Sequence, residues 1–295
     1  MKSNRNHEME RFHGGGICIY CGKPTGLANN QHSACAEMHD WGRSQIISLA
    51  TSVAQGNSQE VSIENLYNSM KKIANNFFVS EAEIRESLII AWGQAVDHFM
   101  SDGYLSRQEE AYLHYFANYF GINQEELKLH KSYEKFIKGI VLREVMEGRI
   151  PRYSGPLGGL PVNLQRDESL VWIFRGVEYY EKVTRRRRVG SSSSVSIRVA
   201  RGVYLRTSSF DSESVEYTET VYVDKGTLLF TTKHIYFSGK SKAFRVRLNK
   251  IASFTPYEDG FGIHRDAQSA KPQIFVTGDG QFAYKLALSI ARFAG

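Results

Sequence analysis

Gly226-Thr-Leu-Leu-Phe-Thr-Thr-Lys-His-Ile-Tyr-Phe-Ser-Gly239 is the stretch that decides the fold of the C-terminal half, together with Phe244-Arg-Val-Arg-Leu-Asn-Lys-Ile251 and Asp259-Gly-Phe-Gly-Ile263. Short apolar and β-branched runs alternate here with Gly, Asp, Asn and Ser, the pattern of strands separated by turns. The spacing predicts strands at Thr227–Thr231, Ile235–Phe237, Ala243–Leu248, Ile251–Pro256, Phe261–His264 and Ile274–Thr277. Asp224-Lys-Gly226 and Asp259-Gly260 read as hairpin turns, because Asp and Gly tolerate positive φ. Upstream, Val171–Tyr180, Val195–Val199, Val203–Arg206 and Val215–Val223 read as further strands. Asp279 can cap a last helix on which Phe282, Leu286, Ile290 and Phe293 share a face. Many strands followed by one amphipathic helix imply a partly open barrel plugged at one end by that helix.

Working back along the chain, Pro151, Pro156 and Pro161 fall among Gly148, Gly155, Gly158 and Gly159, and mark a linker. Before it the text is helical. Ser80-Glu-Ala-Glu83 and Ser106-Arg-Gln-Glu109 are capping boxes, and Asn123-Gln-Glu-Glu126 follows the same logic. Ile84, Leu88, Trp92, Val96 and Phe99 recur at helical spacing, as do Leu113, Phe116 and Phe120. Residues 62–76 and a segment around Tyr133, Phe136, Ile140 and Val141 add further helices, and short loops imply antiparallel neighbours.

The N-terminal segment holds all three cysteines. Cys18-Ile-Tyr-Cys21 and His32-Ser-Ala-Cys35 are two pairs of soft or borderline ligands, each able to supply two corners of a tetrahedron. Cys18, Cys21, His32 and Cys35 are therefore candidate ligands of a structural zinc ion, with His39 and His13 as substitutes for His32. The second pair at a helix start resembles a treble-clef or zinc-ribbon arrangement. A closed four-ligand site would hold a segment too small to fold on its own core.

The expected class is multi-domain α+β. A zinc-binding motif spans 1–43, a helical bundle 44–148, a Pro/Gly linker 149–164 and a β-barrel with its C-terminal helix 165–295. Val96-Asp-His-Phe-Met-Ser-Asp102-Gly103-Tyr-Leu-Ser106-Arg-Gln-Glu109-Glu110, then Phe116-Ala-Asn-Tyr-Phe120-Gly121-Ile122, resembles the TerB-like (tellurite-resistance) helical domains. That resemblance implies a bacterial stress-response setting and a divalent ion held by acidic residues, here Asp97, Asp102 and Glu109. Read physically, Asp102-Gly103 is first a turn and Glu109 first a cap. The strand order that begins at Gly226 resembles the pleckstrin-homology (PH) superfold in its bacterial PH or GRAM-like version. That resemblance implies binding of phosphoinositides, other anionic lipids, peptides or proteins, and only rarely catalysis.

Charge points to the same half. The chain of 295 residues is 42% hydrophobic, which excludes global disorder, and its formal net charge is +6. Residues 60–149 carry −4, whereas residues 150–295 hold 22 basic against 13 acidic side chains. Lys182, Arg185, Arg186, Arg187, Arg188, Arg198 and Arg201 cluster after the first predicted strand, with Ser191–Ser194 read as a flexible loop between them. Four occupants compete for this cluster: bulk water alone, an anionic lipid headgroup, nucleic acid, and an acidic protein surface such as the middle module. No Gly-x-Ser-x-Gly elbow, phosphate loop or dinucleotide fingerprint is present. His98, His114, His130, His234 and His264 read as surface or satisfied core residues. The longest apolar run, Leu88–Trp92, is too short to span a membrane, and residues 1–16 lack the apolar core of a signal peptide. The expectation is a cytoplasmic, non-enzymatic adaptor in bacterial stress response or defence, peripheral at the inner membrane face. It would have protein partners and a lipid-binding or protein-binding barrel. The alternative is a nucleic-acid-binding factor or enzyme accessory protein that uses the zinc motif and the arginine-rich hairpin.

Overall fold

The computed structural model describes residues 16–26, 29–59, 61–151, 153, 162–200, 203–267 and 270–292. For 186–200 and 203–215 it describes the backbone alone. The chain divides into two compact units, Met1–Ile140 and Val141–Gly295.

The first unit is helical: α1 (Ser33–Ala54), α2 (Ile63–Phe77), α3 (Glu81–Phe99), α4 (Arg107–Tyr119), α5 (Gln124–Lys128) and the start of α6 (Ser132–Met146). All three capping boxes form. Ser80, Ser106 and Asn123 each accept from the backbone amide three residues on, and Glu83, Glu109 and Glu126 reach back. Gly103 closes the turn after α3 in the left-handed region at φ 74°. One face of each helix is buried, and these faces meet in a single core around Ile46, Leu66, Met70, Leu88, Trp92, Leu113 and Phe116. The Trp92 indole N–H donates to the Leu113 carbonyl at 3.3 Å, so its one polar atom is satisfied inside. Helix α1 starts within the Cys/His cluster and runs unbroken into this core.

The second unit is one seven-stranded antiparallel sheet in the order β4-β3-β2-β1-β7-β6-β5. Its strands are β1 (Leu170–Ala200), β2 (Val203–Thr231), β3 (His234–Gly239), β4 (Ala243–Arg247), β5 (Ile251–Pro256), β6 (Gly260–Arg265) and β7 (Gln273–Val276). Helix α7 (Gly280–Ala291) packs on β5 and β6, and the Asp279 carboxylate accepts from the Phe282 amide as the sequence leads one to expect. Tyr179, Phe230, Phe237, Phe261 and Phe275 are fully buried in this half-barrel, with ring centroids 5–6 Å apart along the chain of contacts. A helical region, an antiparallel half-barrel and a closing helix follow one another in the expected order.

Two expectations fail in this unit. Asp224-Lys-Gly226 is not a turn but lies inside β2. The Asp224 carboxylate accepts from the Ser241 and Lys242 amides at 2.7 and 2.8 Å, so it caps the β3–β4 turn instead. Gly226 is required for close approach, because a Cβ there would meet the Ser238 carbonyl oxygen at 2.3 Å. The second failure is larger. The segment containing Arg185–Arg188 and Ser191–Ser194 is not a loop. It lies in β1, paired rung by rung with β2 from Lys182↔Thr220 to Arg198↔Tyr204. The opposing strand supplies β-branched residues, tyrosine and carboxylates, among them Val215, Glu216, Tyr217, Thr218 and Glu219, and such cross-strand partners favour pairing.

Candidate functional site

The chain enters the Cys/His cluster through a tight knuckle. Ile17 bridges Pro24, the Cys18 amide donates to the Lys23 carbonyl at 2.9 Å, and the Gly22 amide donates to the Cys18 carbonyl at 2.9 Å. Gly22 takes φ 69°, which lets the turn close between the first two cysteines. His32 is the residue before α1, and Cys35 sits in its first turn. Cys18, Cys21, His32 and Cys35 thus present ligand atoms that all lie within 4.8 Å of one another.

The electrostatics of this set fit a divalent cation. Cys21 Sγ and Cys35 Sγ lie 3.4 and 3.7 Å from His32 Nδ1. His32 Nε2 lies 3.1 Å from the Pro24 carbonyl; the hydrogen bond it donates there leaves Nδ1 as the ring's lone-pair donor toward the thiols. Burial works to raise the Cys18 pKa, but hydrogen bonds from the Cys21, His32 and Tyr20 backbone outweigh it and bring Cys18 down to about 6. Burial, then the Cys21 and Cys18 side chains, push Cys35 up to about 11. Three thiolates cannot be gathered so closely without a positive charge among them. Zn–S bonds of about 2.3 Å imply ligand separations near 3.8 Å, within reach of this spread. Ile17 and Ile19 are 66% and 64% exposed, so the knuckle has almost no apolar core of its own. His39 does not substitute for His32. It is buried, stacks on Tyr20 at 4.7 Å, and has Nε2 2.9 Å from Glu83 Oε1 on α3. His13 lies outside the described residues.

The acidic trio is not assembled. Among the described residues the Cys/His set is the single group of three or more His, Cys, Asp or Glu placed to hold a metal. Asp97 accepts from Lys135 Nζ at 2.9 Å and from the Ser132 hydroxyl at 3.1 Å. Asp102 accepts from the Tyr104 amide, and Glu109 from the Ser106 amide, as turn and cap.

The basic cluster is placed on a two-stranded ribbon. Residues Lys182–Ala200 of β1 and 203–220 of β2 pair with each other and, among the described residues, with no further strand. At about 3.3 Å per residue the ribbon is roughly 60 Å long. Arg185 Nε forms an ion pair with Glu219 Oε1 at 2.5 Å. By register, Arg186 stands opposite Glu216 and Arg188 opposite Ser214. Residues 182–220 hold eight basic and four acidic side chains, so this stretch carries +4. The excess read from β1 alone is about half balanced by β2. The side chains of Arg186, Arg187, Arg188 and Arg198, and the whole of Arg201, lie outside the described residues.

One network escaped the sequence. The buried Glu168 carboxylate accepts from Thr231 Oγ1, from the Tyr236 hydroxyl at 2.8 Å and from the Gln165 amide at 2.9 Å, and it contacts His234 Nδ1 at 2.9 Å. Desolvation opposes ionisation of Glu168, but the four hydrogen bonds prevail and hold its pKa below the ordinary value. His234 is therefore core, but not satisfied: its Nε2 is buried without a hydrogen-bond partner among the described residues. Glu168 and His234 are 66 positions apart, and no local signal links them.

No protein-family model matches the sequence, and no curated protein matches it. Among solved structures, the chain is similar to the complex of PDZ-RhoGEF DH/PH domains with GTP-γ-S-activated RhoA. Identity is 12%, over 90% of this chain and 74% of that one, with a TM-score of 0.22. At that score the likeness carries no argument.

Proposed function

We propose that this chain is a non-enzymatic adaptor that binds a protein partner through the β1–β2 ribbon of a PH-like unit. A TerB-like helical unit and a zinc-clamped N-terminus would serve as further interaction surfaces. The observation that carries this proposal is the ribbon itself. Beyond Lys182, whose amide donates to the Pro272 carbonyl, its two strands have no third strand beside them among the described residues, and an unpaired edge is a template for strand addition by another chain. Tyr217 and Tyr222 stand exposed on β2, at 43% and 52%, and tyrosine is among the residues enriched at protein interfaces. A bacterial stress or defence setting and a cytoplasmic location rest on the family resemblances alone.

A second role is favoured by strand alternation, which puts Lys182, Arg186 and Arg188 on one face of the ribbon. Each basic residue near an anionic membrane contributes about 1 kcal/mol. A net +4 spread along roughly 60 Å, with four carboxylates on β2 among the basic groups, concentrates little of that at any one point, so lipid ranks behind protein. Co-sedimentation with phosphatidylcholine vesicles, with and without phosphatidylserine, separates the two. A protein-binding ribbon leaves the protein in the supernatant in both cases. Sedimentation that requires phosphatidylserine and is lost when Arg185–Arg188 are changed to serine would replace the protein-binding role with membrane attachment.

The zinc assignment has its own test. Protein purified without added metal should carry one zinc by native mass spectrometry. Cys18→Ser should lose it together with the ordered amide signals of the knuckle, because structural zinc contributes on the order of 10 kcal/mol to such segments.

A further inference from the structure

A cavity of about 510 Å³ lies beside the β2–β3 turn, where Lys233, His234, Arg247, Asn249 and Asp167 are among its lining residues. It belongs to the end of the half-barrel where β1 begins, since Leu170 pairs with Thr231 just before the turn. The ribbon leaves from the opposite end of the same two strands, so this site is separate from the partner-binding role proposed above.

Three features converge on this cavity. First, His234 and Arg247 are directly paired in the β3–β4 register, which puts both side chains on one face of the sheet as immediate neighbours. Second, the Arg247 side chain is exposed and has no hydrogen bond or ion pair among the described residues. Lys233 is also exposed, with its Nζ 3.2 Å from the Arg166 carbonyl. Third, the His234 side chain is 2% exposed, and its Nε2 has no partner among the described residues. Buried polar atoms in folded proteins are nearly always paired, and an orphan in a cavity wall calls for an explanation.

The Glu168 carboxylate behind the imidazole supplies half of it. With Nδ1 engaged by the carboxylate at 2.9 Å, Nε2 is the ring atom left to meet a ligand, and an imidazole nitrogen can pair with either an oxygen or a hydroxyl of a phosphate group. A guanidinium fork, an ammonium group and an imidazole nitrogen around one space suit a tetrahedral oxyanion, which accepts charge-assisted hydrogen bonds from the two cations at once. A metal cation is disfavoured by the same two positive side chains. Asp167 in the wall offers an acceptor to a hydroxyl on the rest of the ligand, and the cavity is larger than a bare phosphate needs.

We propose that this cavity binds a phosphate monoester, with His234, Arg247 and Lys233 as its ligating residues and Glu168 as the positioning residue behind His234. The phosphate belongs either to a soluble metabolite or to a lipid headgroup. Inorganic phosphate is the first probe, titrated into the full chain while the His234 ring signals are followed by NMR and assigned by their absence in His234→Gln. A saturable shift is expected, with affinity weakened roughly tenfold or more in Arg247→Ser. Arg247 and Lys233 are exposed, so Arg247→Ser and Lys233→Ser keep the test valid even if His234→Gln fails to fold. Phosphatidylcholine vesicles with and without phosphatidic acid distinguish the sources. Sedimentation only with phosphatidic acid, lost in Arg247→Ser, assigns a lipid. A phosphate-dependent shift without sedimentation assigns a soluble ligand. No His234 response to either probe, or a response of equal strength in Arg247→Ser, would overturn the proposal.

Discussion

Along one hairpin, β1 and β2 pass through two different environments. Between Leu170 and Glu181, β1 is part of a seven-stranded sheet: Val177 and Tyr179 are fully buried, β7 pairs along Glu178–Glu181, and β3 covers β2 from Gly226 to Phe230. From Lys182 outward the same strands have each other and, among the described residues, no third strand. A two-stranded hairpin is marginally stable at best in water, because it buries too little apolar area to offset the ordering of its backbone. The inner half is therefore held by its core. The outer half contributes little to folding, and past Lys182 its edges have no third strand among the described residues. Stability sits in one half of this pair of strands, and the binding role proposed above in the other.

The largest effect expected from breaking this division is in the inner half. Phe230→Ala removes a fully buried ring at the centre of the aromatic cluster and should cost about 3–5 kcal/mol, measured by urea denaturation of the half-barrel. A loss below about 1 kcal/mol would mean that this core does not hold the sheet.

Next comes the Glu168 network, which ties the start of β1 to β2 and β3. Glu168→Gln weakens four charge-assisted bonds and should cost about 1–3 kcal/mol. Its pH signature has a definite sign. The folded pKa of Glu168 lies below the ordinary 4.5, and that of Asp224, held first by the Ser241 amide, lies below 3.8. Both groups stabilise the fold above those ordinary values, and the contribution disappears as pH falls through their lower folded values. On the acid side the half-barrel should thus begin to lose stability below about pH 4.5, with a shallower loss in Glu168→Gln. An equal loss in wild type and variant would remove Glu168 from the account.

The smallest effect is in the outer half. Arg185→Ala breaks an ion pair whose members are 56% and 35% exposed, and should change stability by about 0–1 kcal/mol. A larger loss would show that the ribbon contributes to the fold after all.

How legible each part was depends on how far apart its determinants lie. The capping boxes at Ser80, Ser106 and Asn123 could be read because donor and acceptor are three residues apart. The Cys/His cluster could be read because two ligand pairs carry their spacing in the sequence, although not the Pro24 carbonyl that fixes the His32 tautomer. The strand series after Gly226 and the closing helix could be read from alternation and from the Asp279 cap. The ribbon could not. An arginine run followed by four serines has weak strand propensity by itself, and its acidic, β-branched complement on β2 lies some thirty residues on along the chain. Asp224 misled for the same reason: a local turn signal was outweighed by the Ser241 and Lys242 amides, 17 and 18 positions away. The orphaned His234 nitrogen can be found only once Glu168 is seen beside the ring.

Native-state hydrogen exchange on the full chain tests the central division most directly. Amides of β1 within Leu170–Glu181 should exchange at rates set by unfolding of the half-barrel. Those of residues 182–200 should exchange about a hundredfold faster or more in the free protein. Equal protection along the whole of β1 would contradict the account, because it would make the ribbon part of the cooperative core rather than an arm kept open for a partner.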